Sequence, residues 1–226
     1  MHAYFTFVAG LFTGLFEDSA KIDSQLISRM MPFLGNSLRS KIGPFKCAGL
    51  MIVCTLVLNT SLTTDVANNL ITLILLKVPI TLFEISLQTS VVVSQRLDLT
   101  LLPRKPIIKL IRRREELELT DNILKLMDNY DINSFLLPFW GTLFGELKNE
   151  IEDELRIEIY SVLTDTMDLD RMEGAVISGA LESIIGLWNW FCSSDAEEAS
   201  ERRRLLPPKS FRKHVRAVVI RLKLLT

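Results

Sequence analysis

Residues able to do chemistry are few in this chain and poorly grouped. Histidine, the usual proton shuttle near neutral pH, occurs only as His2 and His214, at opposite ends of 226 residues. Cys47 and Cys54 stand seven apart, about two helical turns, so a helix would put both thiols on roughly one face. Two thiolates could begin a metal site, but no further ligand follows nearby, and core cysteines are the expectation. Between Glu146 and Glu173 lie ten carboxylates and three basic residues, and Glu152, Asp153 and Glu154 could supply an acid–base pair. No catalytic partner accompanies them, so a solvated outer helix face is expected. The run Arg112 to Glu116 mixes both signs and reads as a self-compensated exposed turn. Trp188, Trp190 and Phe191 could form a partner-binding patch, although core packing is the stronger expectation at the end of a long apolar segment. No phosphate-cradling glycine loop, nucleophile elbow or paired Cys/His spacing occurs. The expectation is a protein that is not an enzyme and has no cofactor, no metal and no small-molecule substrate.

Charge is the exception. The formal net charge is −1, yet residues 200–226 hold nine Lys and Arg against Glu201. That segment carries +8, leaving −9 on the other 199 residues. Nucleic acid would be repelled by the bulk of the chain and attracted only here. The candidate RNA- or partner-binding residues are therefore Arg202, Arg203, Arg204, Lys209, Arg212, Lys213, Arg216, Arg221 and Lys223. Phe211 is the lone aromatic among them, so any such binding would be electrostatic and weakly sequence-specific. Against this stands an apolar stripe of Val215, Val218, Val219, Leu222 and Leu225, which makes the segment half of a helical pair with its charges on the outside.

These residues must be positioned by helices. Composition is 48% hydrophobic with mean hydropathy +0.27, which excludes a disordered tail, and 10 Gly with 8 Pro exclude collagen-like sequence. Three cysteines, Cys47, Cys54 and Cys192, with no C-x-x-C, argue against a secreted disulfide scaffold. The apolar run over 3–16 lacks a preceding basic residue, and those over 48–58 and 70–76 are shorter than the roughly twenty residues a membrane span needs. No membrane association is expected. Helix-length apolar segments are instead punctuated every 15–25 residues by turn chemistry. Asp23 or Ser24 can cap a helix kinked at Pro32, and Gly43-Pro44 opens an apolar helix over 45–58. That helix is apolar almost all round, which predicts neighbours on both sides and a buried Met51. Further starts fall at Thr63 to Asp65, Pro79, Ile107, Thr120 or Asp121, and Asp131 or Asn133, with amphipathic and long apolar segments over 150–165 and 169–191.

Helix starts near 3, 23, 44, 63 and 80 give a two-helix period of about 40 residues, the period of HEAT and armadillo repeats. The fold class expected is all-α, a HEAT/armadillo-like α-solenoid of stacked antiparallel helix pairs. The array would cover 1–192, a polar and basic linker 193–209, and a basic amphipathic helix 210–226, the start of a further repeat.

The string LISRMMPFLGNSLRSKIGPFKCAGLMIVCTLV, from Leu26 to Val57, resembles the N-terminal region of the U3 small nucleolar RNA-associated HEAT-repeat proteins. Its features are the Met31-Pro32-Phe33 step, the Gly35 to Leu38 end and the following Met51-Ile52-Val53 helix. AYFTFVAGLFTGLFED before it, and NNLITLILLKVP, NILKLMDNYDINSFLLPFW and LRIEIYSVLTDTMDLDRMEGAVISGALESII after it, are similar in order and spacing over residues 3–190. The resemblance implies a non-enzymatic scaffold of the nucleus and nucleolus, acting in small-subunit processome assembly, precursor ribosomal RNA processing and support of RNA polymerase I transcription. Its implied partners are other processome subunits and, directly or indirectly, the precursor RNA or the U3 particle. Such proteins are very long, so this chain is expected to be a fragment. The residues alone leave a HEAT-like module of another complex, kinetochore or transport, as the alternative, and behind it, on hydropathy alone, a membrane protein.

Overall fold

The described helices run from 8 to 19 residues, so packing of an apolar face against neighbours must supply the stability that propensity alone does not. The computed structural model describes residues 2–16, 22–97, 99–168, 171, 174–192 and 207–225. These contain eleven α-helices, one 3-10 turn and no strand. They fall into two compact units, Met1–Leu99 and Thr100–Thr226.

The first unit holds α1 (His2–Phe16), α2 (Ser24–Arg39), α3 (Gly43–Asn59), α4 (Thr64–Leu75) and α5 (Phe83–Arg96), with a 3-10 turn over Ile80–Leu82 before α5. The caps come from the sequence. Asp23 Oδ1 accepts from the Leu26 amide at 2.7 Å, and Pro44 sits in the first turn of α3. Met30, Leu34 and Leu38, one turn apart, form the buried stripe of α2, while Pro32 is exposed. Rows α1–α3–α5 and α2–α4 pack side by side, and α2 on α3 and α4 on α5 join the two layers. That is the order of stacked helical pairs the 40-residue period predicts.

Close approach between layers depends on small residues. A Cβ on Gly49 of α3 would run into the Ser37 hydroxyl of α2. On α5 the buried hydroxyls of Thr89, Ser90 and Ser94 donate to carbonyls one turn back, at 2.8–3.0 Å. These three hydroxyls are thereby satisfied within their own helix, which packs against α3. Val91 and Val93 are buried here as helix residues.

One expectation fails. Helix α3 is not covered all round. Ile52, Val53, Leu56 and Val57 are buried, but Met51 and Leu58 are 51% and 50% exposed, so α3 has an outward apolar face. An apolar helix needs only one covered side when its other side is left for solvent or a partner, and composition cannot say which.

The second unit holds α6 (Arg104–Ile111), α7 (Leu119–Asn129), α8 (Asn133–Glu146), α9 (Asp153–Thr166), α10 (Gly174–Cys192) and α11 (Lys209–Leu225). Helices α6, α8 and α10 form one row and α7 and α9 the other, and α11 packs on both α9 and α10. The core is aromatic: Phe135, Phe139 and Trp140 are buried on α8, and Trp140 Nε1 donates to Thr166 Oγ1 at 3.0 Å. Gly179 lets α10 close on α8, since a Cβ there would lie 2.9 Å from Leu137 Cδ2. Helix α7 starts earlier than expected. Thr120 and Asp121 lie inside it, and Glu118 at its N-cap adopts the left-handed region with φ of 47°.

Candidate interaction surface on the last helical pair

The sequence places nine basic residues at the end of the chain, and the structure orders some of them on one helix. Lys209, Arg212, Lys213 and Arg216 are exposed on α11 at spacings of three and four, so they share a side. Arg202, Arg203 and Arg204 lie outside the described residues, as does most of the expected linker. Arg221 and Lys223 lie within α11, but their side chains are outside the described set.

What anchors α11 is Phe211. Its ring is 2% exposed and lies 5.0 Å from Tyr160 of α9 and 6.5 Å from Phe144 of α8, centroid to centroid. Burial of a large aromatic contributes on the order of 2–3 kcal/mol. Phe211 therefore belongs to the core and is not available to stack on a base, so the lone aromatic of this basic segment packs inward. Burial also pushes the Tyr160 hydroxyl up to about 12, against the opposing Arg156 charge. One turn beyond Phe211, His214 is half-buried, and burial holds its pKa below the ordinary value of 6.5. The Met167 carbonyl, which accepts from the ring, and the carboxylates of Asp168 and Asp165 oppose that fall.

Between α10 and α11 runs an open groove of about 400 Å³. Ile184, Leu187 and Trp188 form one wall, Phe211 and Val215 the other, and Arg212 and Arg216 stand on its rim. Trp188 is 53% exposed, so the packing expected of it is overturned: it presents its ring at the surface. The sequence signal was present, because Ile184, Leu187 and Trp188 share a face at helical spacing, but a buried stripe gives the same signal. Phe191 lies on α10, outside the described side chains.

The other candidates hold no site chemistry. Cys47 and Cys54 are half-buried free thiols; burial raises the Cys54 pKa, opposed by its contact with Thr89 Oγ1 at 3.7 Å. Among the described residues, no three His, Cys, Asp or Glu side chains group so as to hold a metal ion. Glu152, Asp153 and Glu154 are exposed at the start of α9. Arg113 pairs with Glu116 at 2.8 Å and Arg114 with Glu115 at 3.6 Å within the turn, while Arg112 pairs with Glu152 at 3.1 Å at the start of α9, so the mixed-charge turn is compensated partly within itself and partly from α9. No described helix is long and apolar enough to cross a membrane.

Residues 26–143, from within α2 into α8, match the family described as U3 small nucleolar RNA-associated protein 10. The chain belongs to this family. The resemblance seen in the strings from Leu26 onward is thereby borne out. A Caenorhabditis elegans protein, "HEAT repeat-containing protein 1 homolog", is 27% identical over 164 residues, which cover 73% of this chain and 10% of that protein. The chain thus spans about a tenth of the length of the curated relative it matches. With its helical pairs, this likeness identifies the architecture as all-α and HEAT-like. For this member of the U3 small nucleolar RNA-associated family, the groove on α10 and α11 lies beyond the matched residues.

Proposed function

We propose that this chain is a non-enzymatic scaffold segment acting in ribosome biogenesis in the nucleolus. Its place would be the small-subunit processome, where it supports precursor RNA processing and transcription by RNA polymerase I. The observation that carries the reading is the family match over residues 26–143. The helical pairs agree with it, since each buries one face and leaves the other to meet a partner, as on α3 and α10. Its partners would be other processome subunits and, directly or through them, the precursor RNA, with the basic residues from Arg202 to Lys223 as candidates for contact with either.

The test is the full-length endogenous protein, tagged and then acutely depleted. Nucleolar signal, recovery of U3 RNA with the tagged protein and accumulation of unprocessed precursor on depletion are expected. Kinetochore foci, a reticular membrane pattern or unchanged precursor processing would overturn the reading.

A further inference from the structure

We propose that the groove between α10 and α11 docks an acidic amphipathic helix from a protein partner, whose apolar residues seat against Trp188 and Val215 while its carboxylates pair with Arg212 and Arg216. The inference goes beyond the scaffold reading and does not depend on where in the cell the protein works.

Shape comes first. A volume of about 400 Å³ falls within the range of about 300–1,000 Å³ that binding pockets span, enough for a few aliphatic side chains. The walls are apolar, with Trp188 and Phe211 the aromatic members, and Trp and Arg are among the residues that most often dominate an interface. The apolar line continues along α11 beyond the groove. Phe211 is buried, Val215 half-buried and Val219 37% exposed, at intervals of four residues. A partner helix laid along it would meet anchors at the spacing of its own apolar positions.

Charge selects the partner. Arg212 and Arg216 are one turn apart, about 6 Å along the axis, which matches carboxylates four residues apart on an opposing helix. Neither guanidinium has an ion-pair partner among the described residues, and Lys209 and Lys213 add to the same end of the field. Elsewhere the chain carries an excess of negative charge, so an acidic helix would be repelled from other faces and steered to this one. Single-stranded RNA fits less well. Phe211 is turned inward onto Tyr160, Trp188 alone offers an exposed ring in the groove, and Ile184, Leu187 and Val215 give a base neither a stacking face nor a hydrogen bond.

The experiment uses the whole 226-residue chain against a displayed library of random peptides about 16 residues long, roughly 24 Å when helical. Selected peptides should be acidic, with apolar residues three and four apart. Their binding should fall about tenfold or more with Arg212→Glu/Arg216→Glu and again with Trp188→Ala. All these positions are exposed, so helicity and melting temperature should stay at the parent values, and a peptide with Lys in place of Glu should recover binding to the charge-reversed variant. An unenriched library, peptides without acidic bias, or equal binding to the parent and the charge-reversed variant would overturn the proposal. So would a mixed-sequence single-stranded RNA that outcompetes the selected peptides in a manner dependent on Trp188. Loss of nucleolar localisation, by contrast, would overturn the scaffold reading and leave these outcomes as they stand.

Discussion

Met51 and Ile52 are neighbours in α3 with opposite surroundings, one half in solvent and the other fully buried. Met51→Asp is therefore expected to change stability by no more than about 0.5–1 kcal/mol, as exposed substitutions do. Ile52→Asp places a carboxylate in the core and should cost several kcal/mol, enough to unfold the first unit. Thermal melts of the two variants check this, and a loss for Met51→Asp as large as for Ile52→Asp would mean that Met51 is covered. Sequence could not separate them, because both belong to a helix without a polar face. His214 gives a second expectation. Its folded pKa is held below 6.5 by burial, so the unfolded chain takes up the proton first as pH falls. Its ring costs no stability well above pH 6.5. The cost grows as pH drops from there through the folded value, and is complete below it. Urea unfolding across this range should show a decline that His214→Gln makes shallower; an unchanged slope would mean that other groups cause it.

At the level of elements, Phe211 is the large buried anchor of α11. Phe211→Ala would empty the space beside Tyr160 and Phe144, with a cost of about 3 kcal/mol or more. Hydrogen exchange should show α11 amides losing protection ahead of those in α8; uniform protection would mean that the remaining contacts of α11 with α9 and α10 suffice. Helix starts were legible wherever a local signal fixes them, as at Asp23 and Pro44. They were missed at α7, where Glu118 takes a backbone conformation that nothing in Thr120 or Asp121 announces. Gly179 and Gly186 lie inside α10, and the helix runs on through both, with Gly179 serving contact with Leu137. The groove was the least legible feature. Trp188 exposed and Trp188 buried have the same spacing in sequence, and only the position of α11 decides between them.

For the molecule as a whole, the repeat of about 40 residues was enough to order helices into pairs, because each pair buries its stripe on the next. The described residues fall into two compact units with their boundary after Leu99, at a loop that reads in sequence like the other connections. Segregated charge was fully legible, being a count of residues. Lys46 is 1% exposed, its ammonium donates to the Lys77 carbonyl at 2.9 Å beside the end of α4, and burial lowers its pKa. An acetyl- or ubiquitin-transferring enzyme must reach a free amine, and the folded chain offers none at this position. An acyl group on Lys46 would thus be a date stamp: it marks a molecule that met the enzyme before its helices had closed.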